Sequence, residues 1–340
     1  MLKILYMEGG ITMRAVTYRK YGAPDVLTVE DVQTPTPGDQ DVLVKIHAAV
    51  VTATDATFRA GEPFYSRMFT GPVKPKAETL GGEFAGEVVA VGKDVTRFAV
   101  GDRVFGDTGP ALGAHAEYVR VPEDGALAAM PTGLDYAQAV AVLDGVLTAL
   151  PFLRDHAQLR EGQEILINGA AGSVGAAAVQ LAKHLGARVT GVCSGAKREL
   201  VRSLGADEVI DYAAEDFTRA GRTYDVVFDA AGKSSFPRSK RVLNSGGVYL
   251  STVPSPGILL QSFWTRKLGD KRAIIAFTGL RPTTDKAEDL RFLAQITEAG
   301  QMKPAIDGRY PLAEAADAHR RVDSGRKQGC VLITMDHDAK

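Results

Sequence analysis

The sequence predicts an α/β protein of two lobes, one mainly β and the other built on a doubly wound parallel sheet. Three observations predict it. The chain has 340 residues, more than one compact core usually holds. From Met13 to about Met130, short β-type runs such as "DVLVKIHAAVV", "EFAGEVVAVG" and "HAEYVRVP" are separated by Gly, Pro and Asp turns. After the helical stretch "MPTGLDYAQAVAVLDGVLTAL" the rhythm changes to strand, helix, strand at intervals of roughly 20 residues.

In the second half the expected strands are "EILIN" at Glu164, "RVTGVC" at Arg188, "EVID" at Glu208, "DVVFD" at Asp225, "GVYLST" at Gly247 and "RAIIAF" at Arg272. Six strands with helices between them suit a doubly wound parallel sheet. From about Leu280 the tail holds an amphipathic helix, "KAEDLRFLAQITEAG", a second around "LAEAADAHRRVDSG", and the strand-like "GCVLITM". This tail can fold back onto the β half. No internal repeat or low-complexity segment interrupts the pattern.

Composition narrows the function. Hydrophobic residues make up 45% and charged residues 24%, with a formal net charge of -1, which argues against a disordered chain or a nucleic-acid-binding surface. A small, roughly neutral partner is expected. The two cysteines, Cys193 and Cys330, exclude a four-cysteine zinc site, allow at most one disulfide and suit a reducing compartment. The opening "MLKILYMEGGI" carries Glu8 and lacks a sustained apolar core, unlike a signal peptide. No run approaches the roughly 20 apolar residues that cross a bilayer. The expected location is the cytoplasm, with no membrane and no nucleic acid as partner, and Met13 reads as the functional start after a loose extension of residues 1–12.

The strongest chemical signal is "ILINGAAGSVGAAAVQLAKHLGARVTGVCSGAKREL". An apolar strand runs into Gly169, Gly172 and Gly175, and a helix then carries Val174, Ala178, Leu181 and Leu185 along one face, with Gly186 at the C-terminal glycine position. Such a turn lets the backbone of Ala171, Gly172, Ser173, Val174 and Gly175 approach a pyrophosphate, whose charge is met by N–H groups at the helix N-terminus. Ala170 stands where the usual fingerprint has its first glycine, so a tight structural turn is the alternative. A preference for NAD would place an acidic residue at the end of the second strand. This chain has "CSGAKRE" there. Ser194 can hydrogen-bond a 2′-phosphate and Lys197 or Arg198 can neutralise it, whereas a carboxylate would repel it. NADPH is the expected cofactor, unless Lys197 and Arg198 are solvated residues opening the next helix.

Taken together, "GGEFAGEVVAVGKDVTRFAVGDRVFG", "INGAAGSVGAAAVQLAKHLGARV", "VRSLGADEVIDY" and "FDAAG" resemble the medium-chain dehydrogenase/reductase superfamily. More closely, the chain resembles its zinc-free quinone oxidoreductase branch, with alkenal double-bond reductases and zeta-crystallin-like proteins. The resemblance implies a GroES-like catalytic domain over 13–135, a Rossmann NADPH-binding domain over 136–278, and a segment 279–340 returning to the catalytic domain. It implies a nicotinamide held between the lobes and a homodimer joined through the sixth strand, near "RAIIAF". Zinc alcohol dehydrogenases of the superfamily carry Gly-His-Glu where this chain has Gly81, Gly82 and Glu83, and Thr52 stands at the counterpart of their cysteine ligand, where it offers no thiolate. The six histidines, at 47, 115, 156, 184, 319 and 337, show no paired ligand spacing. No metal is expected, and Glu83 reads as a structural remnant that satisfies backbone donors or an Arg.

The resemblance also implies further cofactor positions: Thr148 beside the nicotinamide, Tyr212 near the adenosine 2′-phosphate, and Thr252, Val253, Phe277 and Thr278 after the fifth and sixth strands. Each has an ordinary packing alternative. Without zinc, alcohol oxidation lacks its Lewis acid, whereas hydride addition to an enone or quinone leaves a charge that the substrate delocalises, so one or two donors suffice. Much of the rate would come from orientation. The matching motif is Asn-x-x-Asp with a tyrosine two positions on. This chain keeps Asp55 but has Thr52 for the Asn and Thr57 for the Tyr. Candidate catalytic residues are therefore Thr52, Asp55, which either holds a loop or acts as a base, and Tyr65, which either donates a proton or packs. The apolar stretch around Trp264 either lines a substrate pocket, packs at a dimer, or forms a partly buried loop and helix. The expected activity is zinc-independent, NADPH-dependent reduction of an apolar quinone or α,β-unsaturated carbonyl. The alternatives are a non-catalytic NADPH-binding sensor or structural protein, and a zinc-free alcohol or ketone oxidoreductase.

Overall fold

A computed structural model describes residues 11–335 and 337. The expected leading extension, residues 1–12, lies outside the described residues except for Ile11 and Thr12, where Thr12 already opens a strand. The chain divides into two compact units, the first running to Ala141 and adding Pro282–Ala294 and the residues from Ile306, the second comprising Val142–Arg281 and Gln295–Ala305.

The first unit is organised by a seven-stranded sheet. Its path runs Ile306–Pro311, Cys330–Thr334, Asp41–Val51, Glu83–Val91, Arg103–Asp107 and Ala126–Ala129, with Tyr118–Pro122 also pairing Asp41–Val51. Asp41–Val51 is central because its sequence supplies buried apolar residues along its whole length: Val42, Val44, Ile46, Ala49 and Val51 all enter the core. The returning tail closes this sheet. Val331 pairs Val51 and Ile333 pairs Ala49, while the helix Ala315–Asp323 buries Ala318 and Val322 in the same core. A separate ribbon pairs Thr12–Thr17 with Thr28–Gln33.

The second unit holds six parallel strands, Glu164–Asn168, Arg188–Cys193, Glu208–Asp211, Tyr224–Asp229, Leu243–Ser251 and Arg272–Ile275, in spatial order third, second, first, fourth, fifth, sixth. The order reverses between the first and fourth strands. Their carboxyl ends, Asn168 and Asp229, are adjacent in register, and such a switch point is where a doubly wound sheet binds ligands. The helical run Tyr136–His156 corrects one expectation: it is long and apolar enough to span a bilayer by composition, yet 83% of its most apolar window is buried inside the protein. It is therefore largely a core helix, apolar over most of its length because protein covers most of it.

Candidate functional site

In the second unit the strand Glu164–Asn168 ends at Gly169, whose φ of +84° is a left-handed conformation that only glycine adopts without strain. The helix Ser173–His184 follows, and its N-cap, Gly172, provides no side-chain cap. A helix N-terminus of this kind presents backbone N–H groups and the positive end of its dipole to an anionic group. A Cβ at Gly175 would lie 2.1 Å from the Gly169 carbonyl oxygen, whereas one at Gly172 would meet nothing closer than 3.5 Å. Gly175 keeps the helix tight on the turn, and Gly172 leaves a partly open cradle in front of it. These features fit a pyrophosphate. Ala171 is buried, with Ser173 and Val174 half-buried at the mouth.

Two groups that the sequence reading passed over hold this turn. Gly145, at φ +85°, lies under the helix start, where a Cβ would come within 2.7 Å of the Val174 nitrogen. A glycine inside the apolar run "LDGVLTAL" was the available signal. Asp229, fully buried, accepts from Asn168 Nδ2 at 2.8 Å, from the Ser234 N–H at 2.7 Å and from the Tyr249 hydroxyl at 3.0 Å. It locks the fourth strand to the first at the switch point.

The structure brings Ser194 and Tyr212 together at the ends of neighbouring strands. Cys193 and Asp211 are in register, and the Tyr212 N–H donates to the Cys193 carbonyl. Tyr212 is 63% exposed, while Ser194 and Lys197 are half-buried on the turn after the second strand. One feature was not foreseen. A Cβ at Gly195 would lie 2.5 Å from Asp211 Oδ2, so the third strand places a carboxylate beside this turn, its Oδ1 accepting from the Ala213 N–H. Near the ends of the fifth and sixth strands, Thr252 donates to the Ala230 carbonyl and Thr278 to Thr148 Oγ1 at 3.5 Å. Val253 and Phe277 are exposed there.

In the first unit Thr52 and Asp55 form a capping box at the start of the helix Ala53–Ala60. The buried Asp55 carboxylate accepts from the Thr52 N–H at 2.8 Å, the Thr52 hydroxyl at 2.6 Å and the Gly81 N–H at 3.0 Å. This geometry makes Asp55 an anchor for the Gly81–Glu83 turn, its lone pairs occupied by local donors. Tyr65 stands apart from that network, 45% exposed in the turn Phe64–Ser66.

Gly82 itself is tightly placed. A Cβ there would lie 2.9 Å from Asp107 Oδ1, and Asp107 Oδ2 accepts from Lys286 Nζ at 2.9 Å. This ion pair, one carboxylate oxygen of which lies close to Gly82, escaped sequence reading because its members lie 179 positions apart. Among the described residues, no three His, Cys, Asp or Glu side chains are grouped as a metal site.

Comparisons with known proteins agree with the fold of the two units. The alcohol dehydrogenase GroES-like domain family matches residues 38–132, and the zinc-binding dehydrogenase family matches residues 204–333. The chain is 35% identical to a quinone oxidoreductase of Pseudomonas aeruginosa over 339 residues, covering 94% of this chain and 99% of that protein. It is 32% identical to the NADPH-dependent alkenal/one oxidoreductase of Arabidopsis thaliana chloroplasts, covering 94% of this chain and 79% of that protein. The solved quinone oxidoreductase of Coxiella burnetii superposes with a TM-score of 0.84 at 28% identity, covering 96% of this chain and all of that one.

Proposed function

Because the chain belongs to the quinone oxidoreductase branch of the medium-chain dehydrogenase/reductase superfamily, we propose that it reduces quinones or α,β-unsaturated carbonyls with hydride from NADPH, without a zinc ion. The observation that carries this reading is Gly82: it bears no ligating side chain, and a Cβ there would lie 2.9 Å from Asp107 Oδ1. An isolated carbonyl would find no fixed Lewis acid there. A conjugated acceptor spreads the added charge over its own framework and needs only a few donors. The name of the zinc-binding dehydrogenase family does not supply the missing ligands at Gly82 and Thr52.

When bound, NADPH supplies the hydride. The chain's own residues would hold and orient it: the backbone at the helix start behind Gly172 would receive the pyrophosphate, and Ser194, Lys197 and Tyr212 would lie at the 2′-phosphate position. Asp211 opposes that preference, but one of its oxygens is turned to the Ala213 N–H, and Arg198 adds a second cation to Lys197. The NADPH dependence printed for the Arabidopsis relative supports the same choice. Cys193 and Cys330 are both buried and outside any disulfide, which suits a cytoplasmic location, and the position of Arg272–Ile275 at the end of the parallel sheet suits a homodimer.

The test is NADPH oxidation followed by absorbance against a panel of quinones and enones, with NADH and a chelator in parallel arms. NADPH-selective, chelator-insensitive turnover with the product carbonyl intact is expected. Tight NADPH binding with no acceleration by any acceptor overturns the proposal in favour of a sensor or structural role.

A further inference from the structure

In a doubly wound nucleotide domain the end of the second strand meets the adenosine ribose, and proteins that take NAD place an acid there to accept from the 2′-hydroxyl. Here Cys193 ends that strand and Ser194 follows it, so the strand supplies no acid. A carboxylate reaches the same turn from the next strand. Asp211 ends Glu208–Asp211 in register with Cys193, and a Cβ at Gly195 would lie 2.5 Å from Asp211 Oδ2. The carboxylate thus stands where a side chain at 195 would begin. Its other oxygen accepts from the Ala213 N–H at 3.0 Å, and the Asp211 main-chain carbonyl accepts from the Ala214 and Glu215 N–H groups at 3.0 and 2.9 Å. These bonds hold Asp211 against the turn, half-buried like Ser194, Gly195 and Lys197.

Charge shows the same closeness by another route. Burial first and then Asp211 raise the Cys193 thiol above its ordinary pKa, while Arg198 and Lys197 pull it down, so all three charges act at the end of one strand. The two cations suit a 2′-phosphate, whereas a carboxylate accepts from a free ribose hydroxyl and repels a phosphate. The turn therefore carries groups for both cofactors.

We propose that Asp211 is a specificity-determining residue: reaching the turn Gly195–Lys197 from the third strand, it stands in for the acid that the second strand lacks, moderates the preference for NADPH and lets the chain take NADH as well. This rests on the nicotinamide-cofactor reading above. It also gives Gly195 a role, since any side chain there would take the carboxylate's place.

The experiment titrates full-length wild type, Asp211→Asn and Glu199→Gln with NADPH and NADH, and with 2′-phospho-ADP-ribose and ADP-ribose, which carry the two ribose ends without the nicotinamide. Wild type is expected to bind NADPH no more than about tenfold tighter than NADH. Asp211→Asn keeps an acceptor for the Ala213 N–H but loses the charge, so the two phosphorylated ligands should bind about fivefold tighter and the two unphosphorylated ones about threefold weaker. A merely structural role moves all four in one direction. Glu199→Gln removes an exposed carboxylate from the start of the next helix, and it should change no affinity by more than about twofold. Should Asp211→Asn fold poorly, Asp211→Ser removes the same charge and is read in the same way. Affinities that move together, stay unchanged or respond equally to Glu199→Gln overturn the role of Asp211 alone, as does a wild type that favours NADPH by more than about a hundredfold. A wild type that binds none of the four overturns the cofactor reading and this role with it.

Discussion

Asp55 gathers three hydrogen bonds on one buried carboxylate, and removing it leaves the Gly81 N–H without its acceptor inside the protein. Asp55→Ala is therefore expected to destabilise the protein by about 3 kcal/mol, read by urea denaturation. Its capping role was legible, since Thr-x-x-Asp ahead of a helix is a start signal. The buried histidines were not. His319 stands next to Arg59, 260 positions away, with its Nδ1 accepting from the guanidinium at 3.3 Å, and its ring meets His115 edge to face at 5.7 Å. Burial first, then His115 and Arg59, push its pKa from the ordinary 6.5 down to about 2. His47, stacked on Tyr136, moves the same way to about 4, with burial first and His337, Lys45 and Arg103 adding to it. The sign follows from linkage: below pH 6.5 the unfolded chain takes up protons that the folded one refuses, so stability falls as pH falls. His319 alone contributes a slope of about 1.4 kcal/mol per pH unit, which ends only near its folded pKa. His319→Gln keeps an acceptor for Arg59 but cannot titrate. Urea midpoints measured from pH 7 to 4.5 should fall less steeply in that variant than in wild type, and parallel curves would refute the assignment.

The helix Ser173–His184 shows how two glycines in one motif do different work. Gly175 →Ala drives a Cβ against the Gly169 carbonyl, which is backbone and cannot swing aside. A loss of about 2–3 kcal/mol is expected from this overpacking. Gly172→Ala meets only ordinary contact distance and has an extended backbone at φ -84°, so the fold should keep its melting temperature while NADPH affinity falls about tenfold as the cradle fills. Paired melting curves and NADPH titrations separate the two. Strand, turn and helix were all legible here because local pattern and tertiary role coincide. Glu164–Asn168, Arg188–Cys193 and Glu208–Asp211 follow the apolar runs residue for residue. Leu243–Ser251 begins four residues before the expected Gly247, because a register shift against Tyr224–Asp229 draws the polar "LNSG" into the ladder. Ile306–Pro311 escaped notice altogether, since its Asp307, Gly308 and Arg309 give no apolar alternation and its pairing with Cys330–Thr334 is set by the tail's return. Likewise, no local pattern announces Lys286 as the partner of Asp107.

At the scale of the whole molecule, the two edges of the parallel sheet are unlike. The edge strand Glu208–Asp211 carries Glu208, which pairs with both Arg188 and Arg222, and charged side chains of this kind discourage strand addition. The other edge, Arg272–Ile275, carries Ala273, Ile274 and Ile275 beyond its single arginine. Beside it in the chain lies the helix Pro256–Thr265, which buries Ile258 but exposes Leu259, Leu260, Phe263 and Trp264, with Leu260 and Phe263 each 62% exposed. A run of large apolar side chains on one short helix is more than scattered exposure, and such patches mark interaction surfaces. A second copy of the chain satisfies both features at once, because a two-fold axis lets the same edge and the same helix meet their own counterparts. The wild type is therefore expected to scatter light at twice the chain mass at micromolar concentration. Leu260→Asp/Phe263→Asp changes only solvent-facing groups, so it should halve that mass and leave the NADPH affinity of each chain in place. A wild type that runs as a monomer would show that the exposed helix has another partner, and a double variant that stays dimeric would place the interface elsewhere.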